Sequence, residues 1–219
     1  MAVNEGKRFE HEVADSVPDN IWFYRIPDNA TSFGGGMGSR FTSDSRYDCL
    51  MWDVNTKQLH GFELKSNKST AFSFPDRKAV AEYTEMVNDL AWYKDKKKRN
   101  TDDYTKAMAK RKEYNIKQAR KKLNQHDIKW HQIDNLSKDQ EFGLKCGFLF
   151  QFRGTDHAYY LSIVKFVKFW TNTPKKSINE NDVIEYGGFL IANEKKKVTH
   201  VYDIGSVIDY MKEEKYGSN

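Results

Sequence analysis

The chain has 219 residues, of which 38% are apolar and 14% aromatic, with a net charge of +5. That is enough apolar material for the core of one domain, spanning residues 1–219, and it argues against disorder. No apolar run approaches the length of a membrane-spanning helix, and Met1 to Lys7 carries no signal-peptide stretch, so a cytoplasmic protein is expected.

Cys49 and Cys146 lie far apart in strand-like runs and read as buried thiols in a reducing environment; no Cys/His spacing suggests zinc. The charge is uneven. Lys94 to Lys122 holds thirteen Lys/Arg against four Asp/Glu, a local +9 against −4 for the remainder. Such a segment suits a polyanionic partner; the plainer alternative is a solvated helical surface.

In chain order, Gly6 to Val17 reads as an amphipathic helix through Phe9, Val13 and Val17, ended by Pro18 and Asp19. Ile21 to Ile26 reads as a buried strand. Pro27 to Ser45 is a glycine-rich loop without the lysine of a phosphate-binding P-loop. Arg40 in that loop and Arg46 just after it are candidates to reach phosphates.

Tyr47–Asp53 and Gln58–Lys65 then form an expected β-hairpin about the polar segment Val54-Asn55-Thr56-Lys57. Alternation puts Glu63 and Lys65 on one face. A turn centred between Asn55 and Thr56 sets Asp48 opposite Glu63; a centre on Thr56 sets it opposite Leu64. Only the first makes the carboxylates direct partners, although a bulge near Asp48 would rescue the second. Opposed carboxylates repel unless a divalent cation lies between them. Magnesium favours one or two carboxylates together with phosphate oxygens, and Lys65 is placed to orient a water or neutralise a phosphate. By itself Glu63-Leu64-Lys65 would read as a charged, solvated strand edge; the upstream Asp48 raises it above that.

Lys78 to Trp92 is an expected helix with Val80, Tyr83, Val87 and Leu90 on one face. The basic stretch from Lys94 to Asn124 reads as helical too, with apolar positions sparse enough for it to project. Its Lys97, Lys98, Arg99, Lys110, Arg111, Arg120 and Lys121 are candidate DNA contacts.

Asp127 to Asp139 is a further helix, capped near Gly143, in which Ile128, Gln132 and Leu136 share a stripe. A glutamine in an apolar stripe needs a partner, whether a metal-bound water, a phosphate oxygen or a backbone carbonyl. Its neighbour His131 is either a general base or an ordinary, partly exposed helix residue.

Cys146–Phe152 and Ala158–Val164 read as paired strands, and Val164–Trp170 as either a continuation or a helix. A late hairpin is expected from Tyr186–Ala192 and Val198–Tyr202 about Asn193-Glu194-Lys195, then a short helix over Ser206–Lys212. Alternating helices and strands predict an α/β fold around one mixed sheet.

The ordered set of a helix glutamate (Glu10), a hairpin Asp48…Glu63-x-Lys65 and a helix glutamine (Gln132) resembles the PD-(D/E)xK, restriction-endonuclease-like nucleases. Within them the chain is similar to the RecU-type Holliday junction resolvases. The stretches that carry the likeness are Asn4-x-Gly6-x-Arg8-Phe9-Glu10, Phe62-Glu63-Leu64-Lys65, Phe72-Ser73-Phe74-Pro75, His131-Gln132-Ile133, Gly147-Phe148-Leu149-Phe150 and Lys176-Ser177-Ile178.

The resemblance implies a restriction-endonuclease-like mixed central sheet flanked by helices. It implies Mg2+, replaceable by Mn2+, held by Asp48, Glu63 and the Leu64 backbone carbonyl, with Lys65, Glu10 and Gln132 completing the catalytic group. It further implies a homodimer that hydrolyses phosphodiesters of four-way DNA junctions in recombination or repair. Two departures stand out. A basic helical insertion over about 77–125 separates the lysine motif from the His-Gln helix, and the segment before Asp48 is glycine-rich. Rival expectations are another nuclease of this superfamily, of exonuclease or restriction type, or a non-catalytic DNA-binding protein.

Overall fold

The computed structural model describes residues 5–27, 46–97, 103–197 and 199–214. Its elements are α1 (Glu5–Ala14), β1 (Ile21–Arg25), β2 (Cys49–Asp53), β3 (Gln58–Asn67), β4 (Ala71–Ser73), α2 (Arg77–Lys97), α3 (Asp103–Leu123) and α4 (Trp130–Glu141), followed by β5 (Lys145–Phe152), β6 (His157–Ser162), α5 (Ile163–Asn172), β7 (Ser177–Asn179), α6 (Glu180–Glu185), β8 (Phe189–Ile191), β9 (Asn193–Lys196), β10 (Thr199–Tyr202) and α7 (Ile204–Glu213).

The central sheet runs β1-β2-β3-β5-β6-β8. Its neighbours are antiparallel except β3 and β5, which are parallel. A parallel pair needs a crossover, and here β4, α2, α3 and α4 supply it. The mixed α/β sheet flanked by helices is therefore as expected.

β5 is an almost unbroken apolar run because it is covered on both faces. Phe148 and Phe150 point into a core shared with α4 and α5, which adds Ile133, Leu136, Phe166 and Phe169. Leu149, between them, points the other way, into a core with Phe9 and Val13 of α1 and Val207, Ile208 and Met211 of α7.

Val164–Trp170 belongs to α5, whose apolar face closes over the first core. Phe72 and Ile178, from two stretches quoted above, meet as register partners in a small β4–β7 sheet.

Several expectations need correction. Ile21–Ile26 is not a buried strand: β1 is a sheet edge, and Trp22 is 53% and Tyr24 45% exposed. The first helix stops at Ala14, where the Ser16 hydroxyl bonds the Glu12 carbonyl. The late hairpin turns at Lys197, not at 193–195, with Lys197 in the left-handed region (φ 47). Phe189–Ile191 instead extends the central sheet beside β6. Ile128 precedes α4 rather than starting it, yet is fully buried on the same core. The 27–45 loop, apart from Pro27, lies outside the described residues, Arg40 included.

The helical insertion over about 77–125 forms two helices, α2 and α3, that pack side by side. Lys112 bonds Asp89 at 2.9 Å and lies 4.6 Å from the Tyr93 ring centroid, and Lys94 pairs with Glu113 at 3.1 Å. Most of the pair's surface faces solvent, while Val80, Ala109 and Leu123 are buried.

Candidate active site

The β2–β3 hairpin sets the geometry. Cys49 pairs with Phe62 and Asp53 with Gln58. The turn is therefore centred between Asn55 and Thr56, the register that would set Asp48 opposite Glu63 if continued; the ladder itself begins at Cys49, one residue beyond Asp48. Asp53 fixes that turn by accepting from Asn55 N at 2.9 Å and Thr56 Oγ at 2.7 Å, and its pKa is lowered to about 2 by these bonds and Lys212 against the opposing effect of burial. Asp48 N donates to the Phe62 carbonyl at 3.0 Å, and its Oδ2 accepts from Leu64 N at 2.7 Å.

Glu63 is 1% exposed. Lys65 Nζ lies 3.2 Å from its Oε2, and Gln132 Nε2 donates to the same oxygen at 2.5 Å. Burial pushes the Glu63 carboxyl well above the usual range; Lys65 opposes this, and the charge of Asp48 adds to it.

Gln132 is buried but bonded at both ends of its amide: its Oε1 accepts from Lys129 N at 3.0 Å, satisfying a backbone donor at the start of α4. Its partners are thus a carboxylate and a backbone N–H. The approach to α4 is itself pinned to β4, since Asp127 Oδ2 accepts from both N and Oγ of Ser73 at 2.8 Å and Ile128 N donates to Ser73 O at 2.9 Å.

Glu10 is committed to Arg25, Oε2 lying 2.5 Å from Nη2 and 2.7 Å from Nε. It still belongs to this neighbourhood. The Cys49 thiol is pushed well up, first by burial and then by the fields of Asp48, Glu63 and Glu10. Among the described residues, no three His, Cys, Asp or Glu side chains converge as a metal cage. The donor set is the carboxylate pair Asp48 and Glu63, which fits a hard cation that keeps several waters.

One part of the site has no sequence signature. Asp139, buried on α4 seven residues beyond Gln132, accepts from the Tyr47 hydroxyl, and its Oδ1 lies 2.9 Å from Arg46 Nη1. The Tyr47 ring lies on Gly61, where a Cβ would come 2.6 Å from the ring. One helix face therefore holds Glu63 through Gln132 and the two residues before Asp48 through Asp139. The seven-residue spacing is the only hint, and an acid near a helix end ordinarily faces solvent.

Arg46 and Arg120 line one cleft of about 730 Å3 between α2, α3 and α4, with Tyr83, Trp130, His131 and Lys138. Lys110, Arg111 and Lys121 are exposed on α3. Lys98 and Arg99 lie outside the described residues, as does the side chain of Lys97. Cys49 and Cys146 are buried free thiols. No described helix is long and apolar enough to cross a membrane.

The sequence matches no protein-family model and no curated protein.

Proposed function

We propose that this chain is a magnesium-dependent DNA endonuclease with a restriction-endonuclease-like fold, acting on four-way junctions in the manner of the RecU-type resolvases it resembles. The observation that carries the reading is the meeting of Lys65 and Gln132, from β3 and α4, on one buried oxygen of Glu63, whose carboxyl also feels the charge of Asp48. A buried acid beside a second, half-buried one is unfavourable by itself, and a divalent cation reverses the sign.

In this reading Asp48, Glu63 and the Leu64 carbonyl hold the cation, which when bound supplies charge stabilisation at the phosphate and a more acidic water. Gln132 fixes the Glu63 carboxylate. Lys65 orients the attacking water or neutralises the phosphate oxygen. Glu10 adds negative field from the rim while paired to Arg25. Arg46 and Arg120 lead a DNA strand along the cleft toward Asp48, and the exposed lysines of α3 extend that surface. A two-fold homodimer would match a two-fold junction, each protomer nicking one of two like strands.

The test is incubation with labelled four-way junction, linear duplex and single strand, with and without Mg2+. Paired nicks confined to the junction support the resolvase. Cutting of linear DNA moves the assignment to another nuclease of the same chemistry. Binding without cleavage in Mg2+ or Mn2+ rejects catalysis.

A further inference from the structure

The exposed aromatics of β1 share a sheet face with the candidate active site. Trp22 pairs with Trp52 and Trp52 with Leu59; Tyr24 pairs with Leu50 and Leu50 with Gly61. Partners across a ladder lie on one face, and two and four residues beyond Gly61 along β3 come Glu63 and Lys65. Ile26 N donates to Asp48 O at 3.0 Å. Tyr24, two residues earlier, therefore comes within roughly 8 Å of Asp48, backbone to backbone, by strand spacing.

The two rings form a unit. Their centroids are 5.6 Å apart and their planes 3° from parallel. On this face Ile26 and Leu50 pack on the first core, Trp52 and Leu59 are half-buried beyond them, and Trp22 and Tyr24 stand half in water.

An edge strand is ordinarily blunted with charge at such positions. Two parallel rings there keep a flat apolar surface wet, which is unfavourable until a flat partner covers it. A nucleobase is such a partner, since every base has a π-face that stacks on Trp or Tyr whatever its sequence. A strand whose phosphodiester is held at Asp48 and Glu63 has its flanking bases within reach of Tyr24, and then of Trp22. Inside a duplex those faces are hidden against neighbouring base pairs, so the base that stacks is an unpaired one.

We infer that Trp22 and Tyr24 form a stacking platform for unpaired bases beside the cleavage site. The substrate is then nucleic acid with single-stranded or unstacked nucleotides next to the scissile phosphate. The identity of the ligand rests on the nuclease reading, because the face shared with Glu63 is what selects a base over other flat apolar partners.

The experiment measures binding of the full chain, in EDTA, to three labelled ligands of equal length: an oligothymidylate, its abasic counterpart and a duplex. Trp22→Ala/Tyr24→Ala should bind oligothymidylate at least about tenfold more weakly than wild type, with a change below about twofold on the duplex and the abasic strand. Trp22→Phe/Tyr24→Phe should keep most of the affinity. Both side chains are half exposed, and urea midpoints check that the variants stay folded. Failure of wild type to bind oligothymidylate, an unchanged affinity in the alanine variant, or an equal loss on all three ligands overturns the platform. So does sedimentation in which the alanine variant turns a dimer into a monomer while its single-strand affinity stays at the wild-type value, which would make the face an interface between copies. None of these readouts requires cleavage. A chain that stacks single strands but cuts nothing keeps the platform and loses the nuclease; one that cuts junctions but binds oligothymidylate equally well without the two rings loses the platform and keeps the nuclease.

Discussion

Gln132 Nε2 donates to Glu63 Oε2 at 2.5 Å across sixty-nine residues of chain, tying α4 to the middle of β3. Gln132→Leu keeps the volume but strips Glu63 of a buried donor. The loss is about 1–3 kcal/mol of stability, measured by urea unfolding. On the nuclease reading, cleavage falls by at least tenfold at saturating Mg2+. Wild-type turnover in this variant would remove Gln132 from the site.

Glu63→Gln separates stability from catalysis. The amide oxygen can accept from both Gln132 and Lys65. The like-charge repulsion between buried Glu63 and half-buried Asp48 disappears. Metal-free stability should therefore rise by about 1 kcal/mol, while metal-dependent cleavage is abolished. A variant less stable than wild type without metal would contradict the account of Glu63 as an acid held at a cost.

His60 sets an acid limit on the fold. It is fully buried, and burial, helped by Lys145, lowers its pKa from 6.5 to about 4. Between those values the unfolded chain binds a proton that the folded chain refuses, so stability falls as pH drops from 6.5 toward 4 and the effect levels off below. The contribution is about 3 kcal/mol. Urea midpoints compared between wild type and His60→Gln, pH 7 to 4, should show a steeper wild-type decline; parallel curves would exclude His60.

Two glycines in the sheet should respond differently to alanine. At Gly147 a Cβ would sit 2.4 Å from the Leu161 carbonyl oxygen, a backbone atom; at Gly61 it meets the Tyr47 ring, 2.6 Å away. Both substitutions should destabilise by about 1–3 kcal/mol. Only Gly61→Ala pushes on the residue beside Asp48, so its loss of cleavage should exceed that of Gly147→Ala under conditions where both remain folded. Equal activities would mean that Tyr47 does not position Asp48.

Charge on the helical pair should be read in salt. Lys110, Arg111, Arg120 and Lys121 are exposed on α3. Changing all four to Gln should weaken DNA binding and flatten the log K against log salt slope by up to about 3 to 4, if each meets a phosphate. An unchanged slope would leave these residues as a solvated surface.

The sequence alone determined the hairpin, because alternating apolar residues bracket a polar turn at Val54–Lys57, and alternation is a local property of a strand. It also determined that Gln132 sits on an apolar stripe, and that Cys146–Phe152 and Ala158–Val164 pair as strands about the turn at Arg153–Asp156. It left Val164–Trp170 open between strand and helix, because a short apolar run fits either period. It misplaced Ile21–Ile26, because five apolar or aromatic residues look the same at an edge as in the centre; only strand order tells them apart. Tertiary structure alone decided the hairpin's register over its one-residue rival, the seating of Gln132 on Glu63, and the Asp139 clamp on Tyr47 and Arg46. The last two contacts join residues dozens of positions apart, and they form when the β3-to-β5 crossover lays α4 over the sheet, a packing outcome that no local spacing encodes.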